Sequence, residues 1–171
     1  LHFVDEVHVV SVKNECKEVL YLLSKKQVLE PLHVAVELKK PNFSVKFLPS
    51  EENKASATIG QDGSYLYEPN VAVLKAGMFK LPTLRYPLQK ISPNSHLYVS
   101  DELIQNFPGK TWKIKQRLGK LKEVKAWNEP VNLITRNAGF TTAEAYKKTG
   151  LKEGGSRFVY ITRDNGNSSM I

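Results

Sequence analysis

The chain has 171 residues, is 41% hydrophobic and carries 25 Lys/Arg against 17 Asp/Glu, a formal net charge of +8. No apolar run approaches the roughly 20 residues that a bilayer-spanning helix needs. The single cysteine, Cys16, excludes an intramolecular disulfide, which predicts a reducing, cytoplasmic setting without a membrane partner. The charge is uneven: residues 1–106 hold 12 Lys/Arg and 12 Asp/Glu, whereas residues 107–171 hold 13 against 5. A segment so basic repels itself, and its commonest partner is a polyanion. The sequence opens on Leu1 with Asp5, Glu6 and His8 close behind. That does not read as a signal peptide, and the chain reads as an excised piece of something longer or a product trimmed at its start.

In chain order, the β-branched run Val7–Val12 predicts a strand. Asn14 is placed to cap a helix over Glu15 to about Lys25, with Cys16, Val19, Leu20 and Leu23 as one apolar stripe. On that stripe Cys16 reads as a small core residue and not as a nucleophile. Strands are expected at His33–Leu38 and Phe43–Leu48, joined by a turn at Pro41-Asn42. Residues 51–64 read as a polar loop. Tyr65–Asn70 leads into a helix capped by Asn70 and covering Val71 to about Phe79, with Pro69 holding Glu68 extended. A short helical piece near Leu84–Ile91, a brief strand at Leu97–Val99 and a helical turn from Ser100-Asp101 toward Ile104 follow. Phe107-Pro108-Gly109 is the natural module boundary.

Beyond it, Trp112 and Ile114 share one strand face, with Thr111, Lys113 and Lys115 on the other. Val131–Arg136 is a further strand. Thr141–Glu144 matches a capping box with Phe140 as its hydrophobic staple, and the helix stops at Gly150. Arg157–Thr162 closes the pattern, and Asp164–Ile171 reads as a frayed tail. The elements predict an α+β chain of two small modules, 1–106 and 107–171. The second is short enough that it should lean on the first.

Few residues point to chemistry. Gly60-Gln61-Asp62-Gly63 lacks the spacing and context of a dinucleotide or S-adenosylmethionine cradle. Gly154-Gly155 could form an anion nest or, more simply, a tight turn. His2, His8, His33 and His96 are too scattered for a metal site. Glu51-Glu52 and Asp101-Glu102 read as solvated surface, since adjacent carboxylates diverge on either regular element. Tyr65, Tyr67 and Glu68 form a candidate polar site. The constrained Glu68 is more simply an acceptor for backbone N–H groups. The stronger candidate is a phosphate-binding surface made by Lys113, Lys115, Arg117, Lys120, Lys122, Arg136 and Lys148.

Several strings together resemble a known family: VHVVSVKNECKEVLYLL (7–23), SYLYEPNVAVLKAG (64–77), NSHLYVSDEL (94–103), FPGKTWKI (107–114) and NLITRNAGFTTAEAYKKTGLKEGGSRFVYIT (132–162). They are similar to the C-terminal part of a bacterial class I S-adenosylmethionine-dependent methyltransferase family. The resemblance implies a ferredoxin-like α/β sandwich for residues 1–106 and a small basic THUMP-like domain for 107–171. It further implies that the catalytic domain, with its S-adenosylmethionine, belongs to a part absent from this chain. The chain alone would then hold no cofactor or metal and would not be an enzyme. Its partners would be RNA (tRNA or rRNA) and its own methyltransferase domain. One departure is local: Arg136-Asn137 is followed by Ala138-Gly139 where the family often has Phe-Pro. The alternative reading is a scaffold or dimerisation module without nucleic-acid contact. It expects an exposed apolar patch around Tyr65, Leu66 and Tyr67.

Overall fold

The computed structural model describes residues 2–164 and 167–171. Its first sheet opens with strand β1 (Val4–Val12), joined by Lys13 and Asn14 to β2 (Glu15–Leu23), which pairs antiparallel with it. Both turn residues have positive φ, 54° and 61°. That left-handed pair gives a two-residue hairpin turn whose twist matches the flanking strands. The helix expected over Glu15–Lys25 is therefore absent. Its helical apolar spacing is a coincidence within a run that the turn folds back on Val7–Val12, setting Val19 opposite Val9 and Tyr21 opposite Val7. Cys16 lies on this strand, partly buried against the first core.

Strand β3 (Leu32–Glu37) lies parallel to β1, and β4 (Phe43–Phe47) returns antiparallel to β3, giving the order β2-β1-β3-β4. Helix α1 (Pro49–Lys54) replaces the first part of the expected loop. Pro at the first turn and acidic residues near the positive helix end favour it. Glu52, expected in solvent, is buried and accepts hydrogen bonds from the backbone N–H of Lys80 (2.8 Å) and Leu81 (3.0 Å).

Strand β5 (Tyr65–Pro69) runs into α2 (Val71–Ala76). The Asn70 side chain accepts from the Ala72 N–H at 2.8 Å, and Gly77 ends the helix at φ 93°. Helix α2 packs over the first sheet, where Val9, Ala35, Phe47, Ala72 and Val73 form one core. Next come α3 (Pro82–Arg85), β6 (Gln89–Lys90), β7 (Tyr98–Ser100) and β8 (Gly109–Lys113), making a second sheet ordered β6-β7-β5-β8. No helical turn forms from Ser100 toward Ile104.

The charge break after Asn106 is not a break in hydrogen bonding. Strand β8, the first of the basic segment, pairs along the whole of β5 from Tyr65–Lys113 to Pro69–Gly109. Helix α4 (Leu121–Lys125), β9 (Asn132–Thr135), α5 (Thr142–Thr149), β10 (Phe158–Asp164) and β11 (Asn167–Met170) complete the chain. Strands β9 and β10 are parallel, as a crossover through α5 requires, and β11 adds antiparallel to β10. The expected frayed tail is thus a strand over Asn167–Met170, continued by Ile171, whose backbone exchanges hydrogen bonds with Tyr160. Asn165 and Gly166, also in that expected tail, lie outside the described residues. Thr141 caps α5 through the Glu144 N–H, and Gly150 closes it at φ 71°. Leu66, Ile91, Leu97 and Val99, on or beside strands of the second sheet, share a core with Tyr160, Ile134 and Ile171, on or beside strands of the third. The basic segment leans on its neighbour through that core.

Candidate functional site

The pleat of β5 parts the three residues expected to form a polar site. Alternate side chains leave opposite faces, so Tyr65 and Tyr67 share one face and Glu68 lies on the other. Tyr67 is fully buried, edge-on to Phe107 with ring centroids 5.0 Å apart. Its hydroxyl donates to the Glu102 carbonyl at 2.6 Å and accepts from the Ile104 N–H at 2.8 Å. Both roles of that hydroxyl are spent on pinning the 102–104 segment. Burial raises its pKa above the ordinary value, although the Ile104 N–H bond opposes the rise. Leu66 is buried too, so no exposed apolar patch forms where the scaffold reading expected one.

Glu68 faces the third sheet. Its Oε1 receives Arg136 Nε and Nη2, both at 2.6 Å, and its Oε2 receives the Tyr160 hydroxyl at 2.9 Å. The carboxylate is buried, and its acceptors are taken by side chains and not by the backbone N–H groups expected from sequence. Burial first, and then the Glu68 charge, push the Tyr160 hydroxyl well above its ordinary pKa, so it remains a donor. Arg136 also donates Nη1 to the Thr135 carbonyl at 3.0 Å, with its side chain 47% exposed. This triad clamps the second sheet to the third.

The remaining sequence-selected cations point elsewhere. Lys113 and Lys115 are exposed at and just beyond the end of β8. Arg117 donates to the Gly63 carbonyl at 3.3 Å; burial lowers its pKa, with Asp62 opposing. Lys120 and Lys122 are exposed at the start of α4, and Lys148 stands 4.3 Å above the Phe140 ring on α5. Helices α4 and α5 pack together. Among the described residues, Lys113, Lys115, Lys120, Lys122 and Lys148 enter no ion pair.

Between β8 and β10 lies a groove of about 630 Å³. Its apolar wall is Trp112, Trp127, Phe158 and Tyr160, and its cations are Lys113, Lys115 and Arg157. Among the described residues no Asp or Glu lines it. Trp112 and Phe158 stand 4.5 Å apart between centroids at 35°, and Phe158 is 42% exposed. The Arg157 guanidinium lies 5.1 Å from the Trp127 ring centroid and pairs with Glu129 at 2.9 Å. The sequence placed Trp112 on one strand face with Ile114, and both do pack partly buried against the core around Tyr160, but it did not point to Trp127, Arg157 or Phe158. The available signal was that both tryptophans of the chain fall in its basic third.

A second concavity, about 360 Å³, adjoins Lys13, Lys39, Lys40 and Lys110 around Glu37. Glu37 is saturated: Lys13 N–H (3.0 Å), Asn14 N–H (2.9 Å), Lys39 N–H (2.9 Å), Ser11 Oγ (3.0 Å) and Asn70 Nδ2 (3.1 Å) all donate to it. Burial alone would raise its pKa. The Asn14 and Lys39 N–H bonds, then Asn70 and Ser11, outweigh that and bring it to about 2. Gly60 and Gly63 lie between α1 and β5, with a strand and not a helix following. Gly154 and Gly155 have φ of 132° and 74° in the turn between α5 and β10, and a Cβ on Gly155 would come 2.6 Å from the Pro130 carbonyl oxygen. No group of three His, Cys, Asp or Glu suited to a metal occurs among the described residues. No helix there is long and apolar enough to cross a membrane.

Comparison with known proteins bears on this arrangement. A family model described as a ferredoxin-like domain matches residues 65–108, the span of the second sheet up to β8. The chain is an α+β protein containing a ferredoxin-like domain. A crystal structure of a candidate methyltransferase from Porphyromonas gingivalis W83 superposes with a TM-score of 0.91 at 28% identity, over 99% of this chain and 45% of that one. The present chain thus spans less than half of that protein's length. No curated protein matches it.

Proposed function

We propose that this chain is the substrate-recognition portion of an RNA methyltransferase, with tRNA or rRNA as substrate. In this reading S-adenosylmethionine is held by a catalytic domain outside these residues, and residues 107–171 form the THUMP-like part. The observation that carries the proposal is that Lys113 and Lys115, exposed and without an ion pair among the described residues, line a groove whose described lining has no acid, while Lys120, Lys122 and Lys148 of the same segment are likewise exposed and unpaired. The likeness over 45% of a longer candidate methyltransferase supports the division of labour. Lys113, Lys115, Arg117, Lys120, Lys122 and Lys148 contact phosphates, and Arg136 adds its exposed edge while Glu68 holds the rest. Neutralising about five phosphates gives a log–log salt slope of roughly −4 on duplex and nearer −3 on single strands.

The test is binding of the chain to fluorescent bulk tRNA over about 50 to 300 mM salt, with duplex DNA of random sequence as competitor. Saturable, steeply salt-dependent binding that prefers tRNA is the expected result. Failure to bind at the lowest salt overturns the reading.

One observation favours a second reading, a docking or dimerisation module. The edge strand β2 presents Val19, Leu20, Tyr21, Leu22 and Leu23 at 45–75% exposure, an apolar run on an unpaired sheet edge. Sedimentation of the chain at increasing concentration checks the dimer form. It should lose self-association when Leu20 and Leu22 are changed to Lys.

A further inference from the structure

We propose that the groove between β8 and β10 is a stacking site for an unpaired base of single-stranded RNA. This rests on the RNA-recognition reading and adds what kind of RNA the surface takes. Lysines on a convex surface would suffice to hold a duplex by its phosphates. The groove adds what a duplex cannot use: an apolar, aromatic recess beside the cations. Its volume of about 630 Å³ falls within the roughly 300–1,000 Å³ of ordinary small-ligand sites.

The parts match the two ends of a nucleotide. Phe158 is 42% exposed and packs against Trp112 with ring centroids 4.5 Å apart, so an aromatic ring is presented to the groove with a neighbour that supports it. The Arg157 guanidinium, fixed between Trp127 and Glu129, offers a second planar surface. Base stacking on aromatic rings and arginine planes tolerates any sequence because every base has a π face. Gln116 and Ser156 also line the groove and supply hydrogen-bonding groups for a base edge. Lys113 and Lys115 are placed for the flanking phosphates. With Lys113 and Lys115 unpaired and no acid among the described lining residues, the site favours a polyanion over a neutral aromatic ligand.

Both tryptophans of the chain are in this groove, so intrinsic fluorescence reports on it directly. The experiment titrates the chain with a single-stranded oligoadenylate and with an abasic oligomer of the same length and charge. The oligoadenylate should quench tryptophan emission and bind about fivefold or more tighter than the abasic strand, with equal salt slopes. Phe158→Ala, a change at an exposed ring, should bring oligoadenylate affinity down to the abasic level and leave the salt slope intact. Equal affinity for both oligomers without quenching overturns the stacking site while leaving phosphate-based recognition standing. Absence of binding by either oligomer overturns both.

Discussion

The first two-thirds of this molecule and its last third treat charge in opposite ways. In the first, Glu37 gathers five donors from a hairpin turn and its neighbours, and Glu52 closes the turn before α3. These carboxylates act as internal fasteners in a region with as many acids as bases. In the last third, Glu129 and Glu144 are tied to Arg157 and to the α5 cap, whereas Lys113, Lys115, Lys120, Lys122 and Lys148 face outward without an ion pair among the described residues. Surface repulsion of that kind contributes nothing to folding, which is why an external anion is the economical explanation. The two concavities repeat the contrast. Four lysines surround a saturated carboxylate in one, and three cations flank aromatic rings in the other.

The contrast can be broken at its strongest point first. Glu37→Ala removes the acceptor of five hydrogen bonds, two of them buried, and should destabilise the chain by about 3 kcal/mol in chemical unfolding. Its titration has a definite sign. The folded value, about 2, lies below the ordinary 4.5, so the carboxylate stabilises fully above about pH 4.5 and the gain is lost as pH falls toward 2. Unfolding midpoints of the wild type should fall over that window more than those of Glu37→Gln.

The quadruple variant Lys113→Gln, Lys115→Gln, Lys120→Gln, Lys122→Gln should leave the melting temperature unmoved. It should weaken tRNA binding about a hundredfold at low salt, as read by anisotropy. A drop in stability instead would make these lysines structural. Tyr160→Phe removes the hydroxyl from Glu68 Oε2 and should cost about 1–2 kcal/mol. Arg136→Gln then tests coupling, since the loss in the double variant should differ from the sum of the singles in a double-mutant cycle. Lys148→Gln gives up a cation over Phe140 and should cost about 0.5 kcal/mol, the smallest change of the series.

How much of this was legible in sequence depended on the range of the signal. The Asn70 cap, the Thr141–Glu144 capping box and the Gly150 terminus are encoded within four residues, and all formed where expected. The alternating strand near His33–Leu38 was equally local. The Glu15–Lys25 segment misled because Cys16, Val19, Leu20 and Leu23 recur at helical spacing within a run that can equally extend as a strand, and the left-handed Lys13-Asn14 turn decided between them. Helix α1 was hidden by its polarity, since its one buried side chain is Glu52. The groove left only a faint trace, both tryptophans in the basic third: Trp112, Trp127 and Phe158 come from separate segments, and the β5–β8 pairing and the shared core around Tyr160 bring them together. Glu68 was singled out correctly as constrained, but its partners Arg136 and Tyr160 lie on two other strands or their ends.

The most direct measurement compares two charge-matched variants for the salt dependence of tRNA binding. One neutralises Lys113, Lys115, Lys120 and Lys122. The other neutralises four exposed lysines of the first region, Lys25, Lys26, Lys54 and Lys75. The account expects the first to flatten the log–log slope by about 3 units and the second to leave it near the wild-type value. Equal flattening in both would mean that net charge alone attracts the RNA, and the division of the molecule argued above would be contradicted.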